Sequence, residues 1–281
     1  MTPLPTASTR LLALLGDPVS HSLSPVFQNA ALRVLGLDGV YVALRCASAD
    51  LPGLLVALAR AGGGGNVTVP HKAAAARAVE LRTEAVDATG ACNCFWLEDG
   101  RVHGDNTDVH GLSAAVRALL GRPPAGARVL VVGAGGAARA AVYALAQGGA
   151  ERIVVVNRTA DRARELAERF GGAGTRIEAA ESAAPLASET FDLALNATSL
   201  GLRAGDPLPL SVDGGPGIAA ALDLVYARGG ETPWVRAMRE AGIPSSDGTE
   251  VLLHQGAEAF RRWWKLDPPI GVMREALTSG A

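Results

Sequence analysis

The 281-residue sequence predicts an α/β fold of two domains, each built on a mostly parallel sheet, with C-terminal helices that pack back on the first. Three observations carry this. Short β-rich runs alternate with helical patterns along the first hundred residues, the βαβ rhythm of a parallel sheet. The rhythm restarts at Arg128, where a glycine-rich turn follows a strand and opens a helix. After Gly248 the chain becomes wholly helical. Domain limits are read as 1–107 plus 246–281 for the first domain and 108–245 for the second.

In order, the expected elements are strand LLALL and helix Pro25 to Val34, strand VYVAL and helix Leu51 to Arg60, strand NVTV and helix Ala73 to Leu81. A hairpin around FWLEDGRVHG follows, turning at Asp99-Gly100. A helix from Gly111 to Leu120 then leads to a turn at Pro123 and Pro124 and serves as the hinge. In the second domain come strand RVLVV, helix Ala137 to Gln147, strand RIVVV, helix Ala160 to Phe170, a weaker strand near Ile177, then FDLALN and AALDLVY. EVLLHQGAEAFRRWW and PIGVMREAL are the closing helices.

Composition excludes several classes. Hydrophobic residues at 48% and charged residues at 19%, with a formal net charge of -2, leave no basic excess for nucleic acid. No apolar run approaches the ~18 residues of a membrane span, and MTPLPTASTR lacks the order of a signal peptide, so a cytoplasmic protein is expected. Cys46, Cys92 and Cys94 are odd in number and lack zinc-knuckle spacing, and the five histidines have no ligand spacing; reduced thiols and no metal are expected.

RVLVVGAGGAAR, Arg128 to Arg139, places Gly133, Gly135 and Ala138 in the G-x-G-x-x-A arrangement between a strand and a helix, the setting of a Rossmann-like dinucleotide site. Gly133 permits the tight turn, Gly135 lets backbone approach a pyrophosphate, and the helix start, through Ala134, Gly136 and Ala137, supplies N–H groups. At the end of the next strand an NAD site has an acid. Here stands Asn157, followed by Arg158, Thr159 and Arg162. Two guanidiniums suited to a 2′-phosphate favour NADP(H), with Thr159 as the N-cap of the next helix. NATSLG imitates a hydrolase nucleophile elbow, but LRAGDPLPL after it cannot form the required helix. The stretch, with Thr198, is read as a loop near the nicotinamide; Gly248 is assigned to the cofactor as well.

With a nucleotide on the second domain, the substrate contacts are expected from the first, in the cleft between them. GDPVSHSLSP offers Ser22 and Ser24 ahead of a helix started by Pro25, with Ser24 as its possible N-cap; hydroxyls and free N–H groups there suit a carboxylate. In NVTVPHK, alternation puts Val67 and Val69 on one face and Asn66 and Thr68 on the other. Lys72 follows, in the first turn of a helix. Of 26 lysines and arginines only Lys72 and Lys265 are lysine, so the choice at position 72 is conspicuous. Lysine can exchange its proton with a reacting group, whereas arginine stays protonated. GDNTD, Gly104 to Asp108, with Asn93 upstream, offers Asp108 as the carboxylate that holds the ammonium. Gln255 sits in the apolar stripe of Leu252, Ala259 and Trp263, where its amide needs partners that substrate hydroxyls can provide. No account of His71 follows from the sequence.

GDPVSHSLSP, NVTVPHK, GDNTD, GAGGAAR, NRTADR, NATSLG, LVYARGGETP and LLHQGAEAF stand in the order found in shikimate dehydrogenases, and the chain resembles that family from about Leu12 to Leu277. The resemblance implies NADPH-dependent reduction of 3-dehydroshikimate to shikimate in the aromatic amino-acid pathway. It implies Lys72 and Asp108 as the catalytic pair and Ser22, Ser24, Thr68, Asn93, Tyr226 and Gln255 as substrate contacts. A quinate/shikimate dehydrogenase paralogue and a non-catalytic NADP-binding regulator are the alternatives, and any assembly is expected to be a homodimer. Two departures stand out: Cys94, in GACNC, replaces a hydroxyl residue, and His71 replaces a commoner aromatic or leucine-like side chain.

Overall fold

A computed structural model describes residues 5–172, 174–203, 205–227 and 231–279. Arg228, Gly229 and Gly230 of LVYARGGETP, Ala204 of LRAGDPLPL and the first four residues of MTPLPTASTR lie outside the described residues. The chain divides into two compact units, Met1–His110 with Leu252–Ala281, and Gly111–Val251. In the first, β1 (Arg10–Gly16), α1 (Ser24–Val34), β2 (Gly39–Arg45), α2 (Leu51–Arg60) and β3 (Gly64–Val67) alternate. Then come α3 (Lys72–Ala78), β4 (Leu81–Arg82), α4 (Glu84–Thr89), β5 (Cys94–Glu98) and β6 (Arg101–Asp105).

Helix α5 (Asp108–Leu120) carries the chain into the second unit: β7 (Arg128–Val132), α6 (Gly136–Gln147), β8 (Arg152–Val156), α7 (Ala160–Phe170) and β9 (Arg176–Ala180). There follow β10 (Thr190–Phe191), β11 (Leu193–Asn196), β12 (Gly217–Ile218), β13 (Ala221–Asp223), α8 (Pro233–Glu240) and β14 (Ser245–Ser246). Helix α9 (Thr249–Trp264) leads back, and α10 (Ile270–Ser279) closes the chain.

The first unit holds a six-stranded sheet in the order β2-β1-β3-β5-β6-β4. β1 runs parallel to β2 and β3, while β5 is antiparallel to both β3 and β6. The β5–β6 hairpin turns at Asp99 (φ 49°) and Gly100 (φ 72°), two left-handed residues that match the strand twist, as the Asp-Gly pair predicts. The core on one sheet face packs Leu15, Val67, Phe95 and Val102 against Leu51, Leu55 and Ala75. The closing helices join this unit: α10 packs on α1, and the Trp263 indole of α9 donates to Phe95 O at 3.2 Å.

The second unit has an all-parallel six-stranded sheet, β14-β13-β11-β7-β8-β9, the Rossmann-like arrangement expected from its rhythm. Its strands are buried runs such as Val129 to Val132 and Ile153 to Val156, as a sheet covered on both faces requires. Among the described residues no helix is long and apolar enough to cross a membrane, and no cluster of three or more His, Cys, Asp or Glu could hold a metal.

Several local expectations are corrected. The strand at NVTV ends at Val67, short of Thr68 and Val69; Asn66 and Val67 are both buried while Val69 is exposed. β3 lies between β1 and β5, and an interior strand is covered on both faces. The next helix is Lys72–Ala78, and Leu81 belongs instead to β4, which pairs with β6. Helix α5 begins at Asp108, not Gly111, and FDLALN splits around Asp192, whose carboxylate accepts the Arg128 N–H at 2.8 Å. AALDLVY contributes only the three residues of β13.

Candidate active site and nucleotide loop

In the first unit, Lys72 opens α3 and Asp108 opens α5, and the two meet: Lys72 Nζ lies 2.5 Å from Asp108 Oδ2. Both side chains are partly exposed, at 29% and 22%, so a small molecule can reach the pair. The other carboxylate oxygen, Oδ1, accepts from Asn93 Nδ2 at 2.7 Å. Asn93 is itself fixed, because its Oδ1 accepts the Thr107 N–H at 2.7 Å and the Thr107 hydroxyl at 3.1 Å. Each oxygen of Asp108 therefore has a dedicated donor, and the carboxylate cannot rotate without breaking a charge-assisted bond.

A continuous path of hydrogen bonds runs back from this pair. Asn66 Nδ2 donates to Asn93 O at 3.0 Å, and the Tyr41 hydroxyl donates to Asn66 Oδ1 at 2.8 Å, with the Ser24 side chain acting on Tyr41. Burial holds the Tyr41 phenol well above its ordinary range, with Cys94 adding to the shift and the Ser24 bond opposing it. Tyr41 is thus a neutral donor. Asn66, Tyr41 and Thr107 were not singled out by the sequence, although a polar residue in a strand walled by valines and a threonine inside GDNTD were the available signals.

The remaining predicted contacts of this unit are placed as follows. Ser24 is the first residue of α1 and Leu23 occupies its N-cap position, so Ser24 does not cap the helix. The Ser22 hydroxyl accepts the Ser24 N–H at 3.2 Å instead. Thr68 lies just past β3, with its N–H on Leu15 O at 2.8 Å. The Gln255 amide finds partners within the protein: Nε2 donates to Leu252 O at 2.8 Å, and Oε1 lies 3.4 Å from Asn93 Nδ2. Cys94 is fully buried in β5, so its thiol replaces a hydroxyl in the interior and not at the site. All three cysteines are free; burial pushes the Cys92 thiol up to about 12, which keeps it protonated and unreactive.

In the second unit the glycine loop joins β7 to α6. Gly133 has φ 108°, and a Cβ there would stand 2.9 Å from both Ala197 O and Thr198 Cγ2. Only glycine lets the loop pass so close to the NATSLG segment. That segment forms no helix, which disposes of the hydrolase elbow. Gly135 holds the N-cap position of α6 with no side-chain cap, and a Cβ on Gly135 or Gly136 would meet nothing within 4 Å. The start of α6 is thus uncrowded and exposed at Gly135, Gly136 and Ala137, as the approach of a pyrophosphate to its backbone requires.

Beyond β8, Asn157 Nδ2 donates to Thr159 O at 2.8 Å, and Arg158 and Arg162 are exposed with no ion-pair partner among the described residues. Thr159 holds the N-cap position of α7, but its hydroxyl makes no capping bond. This cradle fits a phosphorylated dinucleotide: a glycine turn, an uncapped helix start and two uncommitted guanidiniums. The Thr198 hydroxyl donates to Asn196 Oδ1 at 2.7 Å. Gly248 is required by packing, since a Cβ would meet Leu224 O at 2.4 Å. Tyr226 follows β13 in this second unit.

Comparison with known proteins places these features in context. Residues 14–95 match the model of a shikimate dehydrogenase substrate binding domain, 119–200 that of a shikimate / quinate 5-dehydrogenase, and 248–278 that of a shikimate 5′-dehydrogenase C-terminal domain. A shikimate dehydrogenase (NADP(+)) of Rubrobacter xylanophilus is 43% identical over 274 residues, 96% of each chain. One from Geobacter metallireducens is 39% identical, again over 96% of each. The crystal structure of shikimate dehydrogenase from Aquifex aeolicus superposes with a TM-score of 0.88 at 32% identity, covering 98% of this chain and 99% of that one. The shikimate 5-dehydrogenase of Thermus thermophilus, solved with NADP(H) and shikimate, gives 0.86 at 38% identity, covering 97% and 100%.

Proposed function

The chain belongs to the shikimate dehydrogenase family, and from that premise we propose that Lys72 and Asp108 manage the proton in the NADP(H)-dependent interconversion of 3-dehydroshikimate and shikimate. The enzyme is an oxidoreductase acting on a CH–OH group with NADP as its cofactor. NADP(H), when bound, supplies or accepts the hydride.

The chain's own residues manage the oxygen at which that hydride changes the carbon. Lys72 Nζ donates to the carbonyl oxygen during reduction and receives the hydroxyl proton during oxidation. An ammonium held there also stabilises negative charge developing on oxygen. Asp108 keeps Nζ aimed, and Asn93 keeps Asp108 from turning. The observation that carries this reading is the 2.5 Å Lys72–Asp108 pair, with the second carboxylate oxygen already engaged by Asn93.

In the same reading Ser22 and Ser24 bind the substrate carboxylate, Ser22 with the hydroxyl proton left free by its acceptor role toward Ser24, while Thr68, Asn93, Gln255 and Tyr226 take the ring hydroxyls. Gly133 to Ala137, with Thr198 and Gly248, line the nucleotide, and Asn157, Arg158, Thr159 and Arg162 select the 2′-phosphate. The reading includes a cytoplasmic homodimer, which sedimentation velocity and cell fractionation test.

The deciding experiment follows the absorbance of reduced nicotinamide with shikimate or quinate against NADP+ or NAD+. The kcat/KM for shikimate with NADP+ is expected to exceed every other combination by about tenfold or more. Higher efficiency with quinate would make the enzyme the quinate paralogue. No turnover with any pair would leave a binding protein.

A further inference from the structure

The proposal concerns His71, and it rests on the reading of Lys72 just given. His71 is 2% exposed and holds the N-cap position of α3, immediately before Lys72. Its ring Nε2 lies 2.9 Å from Cys46 O, in the loop after β2. A carbonyl only accepts, so Nε2 carries the proton, and in the neutral ring Nδ1 is the acceptor for the Ser48 hydroxyl at 3.3 Å.

This side chain closes a ring. The Cys46 N–H donates to Gly16 O at 3.2 Å, and the next residue, Asp17, donates its N–H to Val69 O at 3.1 Å. From Val69 the chain returns through Pro70 to His71. The end of β1, the loop after β2 and the approach to α3 are thereby joined in one circuit, in which His71 to Cys46 is the side-chain link. Every other link is main chain.

The need for such a link follows from α3 itself. It has seven residues, too few to hold a fixed position by its own hydrogen bonds. Lys72 is its first residue and carries a long, rotatable stem. The main chain of Lys72 is tied on one side, where its carbonyl accepts the Cys92 N–H at 2.9 Å. On the other side the His71 N–H donates to Thr68 O at 2.9 Å, and the His71 ring adds the tie that reaches across to Cys46.

We infer that His71 is a positioning residue for Lys72: by closing the circuit through Gly16, Cys46 and Val69, it fixes the residue that presents the ammonium to Asp108 and to the reacting oxygen. A displacement of about 1 Å at a catalytic group costs up to ~100-fold in rate, so the link acts on turnover.

His71→Met and His71→Gln test this. Methionine keeps a similar length without a donor, whereas glutamine keeps an N–H that can reach Cys46 O. His71→Met is expected to lower kcat for shikimate oxidation by about 10- to 100-fold with KM for shikimate and NADP+ within about twofold. His71→Gln is expected to recover kcat to within about threefold of the parent enzyme. Parental kcat in His71→Met, an equal loss in both variants, or a change confined to KM would each overturn the proposal. If His71→Met does not fold, His71→Asn decides, because it keeps a polar side chain too short to take the place of Nε2 on Cys46 O. A lower kcat at unchanged KM supports the link, and an unchanged kcat overturns it. No turnover by the parent enzyme would overturn the reading of Lys72 as well, a result distinct from all of these.

Discussion

Arg262, on α9, donates to Oδ2 of Asp105 at the end of β6, from Nε at 3.1 Å and Nη2 at 3.0 Å. The other oxygen of Asp105 accepts the Thr83 hydroxyl at 2.6 Å and the Asn106 N–H at 2.7 Å. Asp105 leads through Asn106 and Thr107 into Asp108, the first residue of α5, and Arg262 shares a helix with Gln255. The ion pair thus fastens two contributors to the site against each other.

Arg262→Ala is expected to lower unfolding free energy by about 3 kcal/mol, the lower end for breaking a buried pair, since the Arg262 side chain is 33% exposed while Asp105 is 3% exposed. Urea unfolding measures it. A loss below about 0.5 kcal/mol would place the pair among ordinary surface ion pairs.

Contacts of this kind mark the limit of what the sequence shows. The glycine loop, the acid-free end of β8 and the Asp-Gly hairpin are local: spacing and backbone preference define them, and the structure has them where the residues indicate. Lys72 was legible because a rare residue type stood at a helix start. The partners of His71, the pairing of Asp105 with Arg262 and the course of Ser24 to Tyr41 to Asn66 depend on sheet order, which brings together residues distant in the chain. Where β3 ends and that both its faces are covered were not legible, because whether a strand is interior is a tertiary fact. The capping expected of Ser24 turned on a one-residue shift of the helix start, a scale that local pattern does not resolve.

Arg158→Ala tests the nucleotide assignment. A charge-assisted bond to the 2′-phosphate is worth ~1.5–3 kcal/mol, so kcat/KM with NADP+ should fall by about 10- to 150-fold. With NAD+, which lacks that phosphate, the change should stay within about threefold. Equal losses with both nucleotides would show that Arg158 acts on the fold.

Arg152 grips Glu178 with both ends of its guanidinium, Nε to Oε1 at 3.2 Å and Nη2 to Oε2 at 2.9 Å, and also pairs with Glu189. The Arg152 hydrogen bond holds both glutamates below the usual carboxylate range. A depressed acid contributes stability above its unfolded pKa of ~4.3 and loses it as pH falls through the folded value. Arg152→Met should therefore lower the thermal midpoint at neutral pH, with the gap from the parent protein closing below about pH 4. A gap that persists unchanged in acid would mean that Arg152 stabilises by packing.

Asn93→Ala removes the donor to Asp108 Oδ1 and strands the buried Thr107 N–H. A stability loss of about 1–3 kcal/mol is expected, with kcat falling more than KM rises. Stability and kinetics both unchanged would remove Asn93 from the account.

The central claim is that position 72 needs a cation able to give up and regain a proton, held by Asp108. Its most direct measurement is steady-state shikimate oxidation with NADP+ by Lys72→Met and Lys72→Arg. The account predicts that both lower kcat by about 100- to 10,000-fold with KM for shikimate changed far less, arginine failing because it stays protonated. Near-parental kcat in either variant would contradict it.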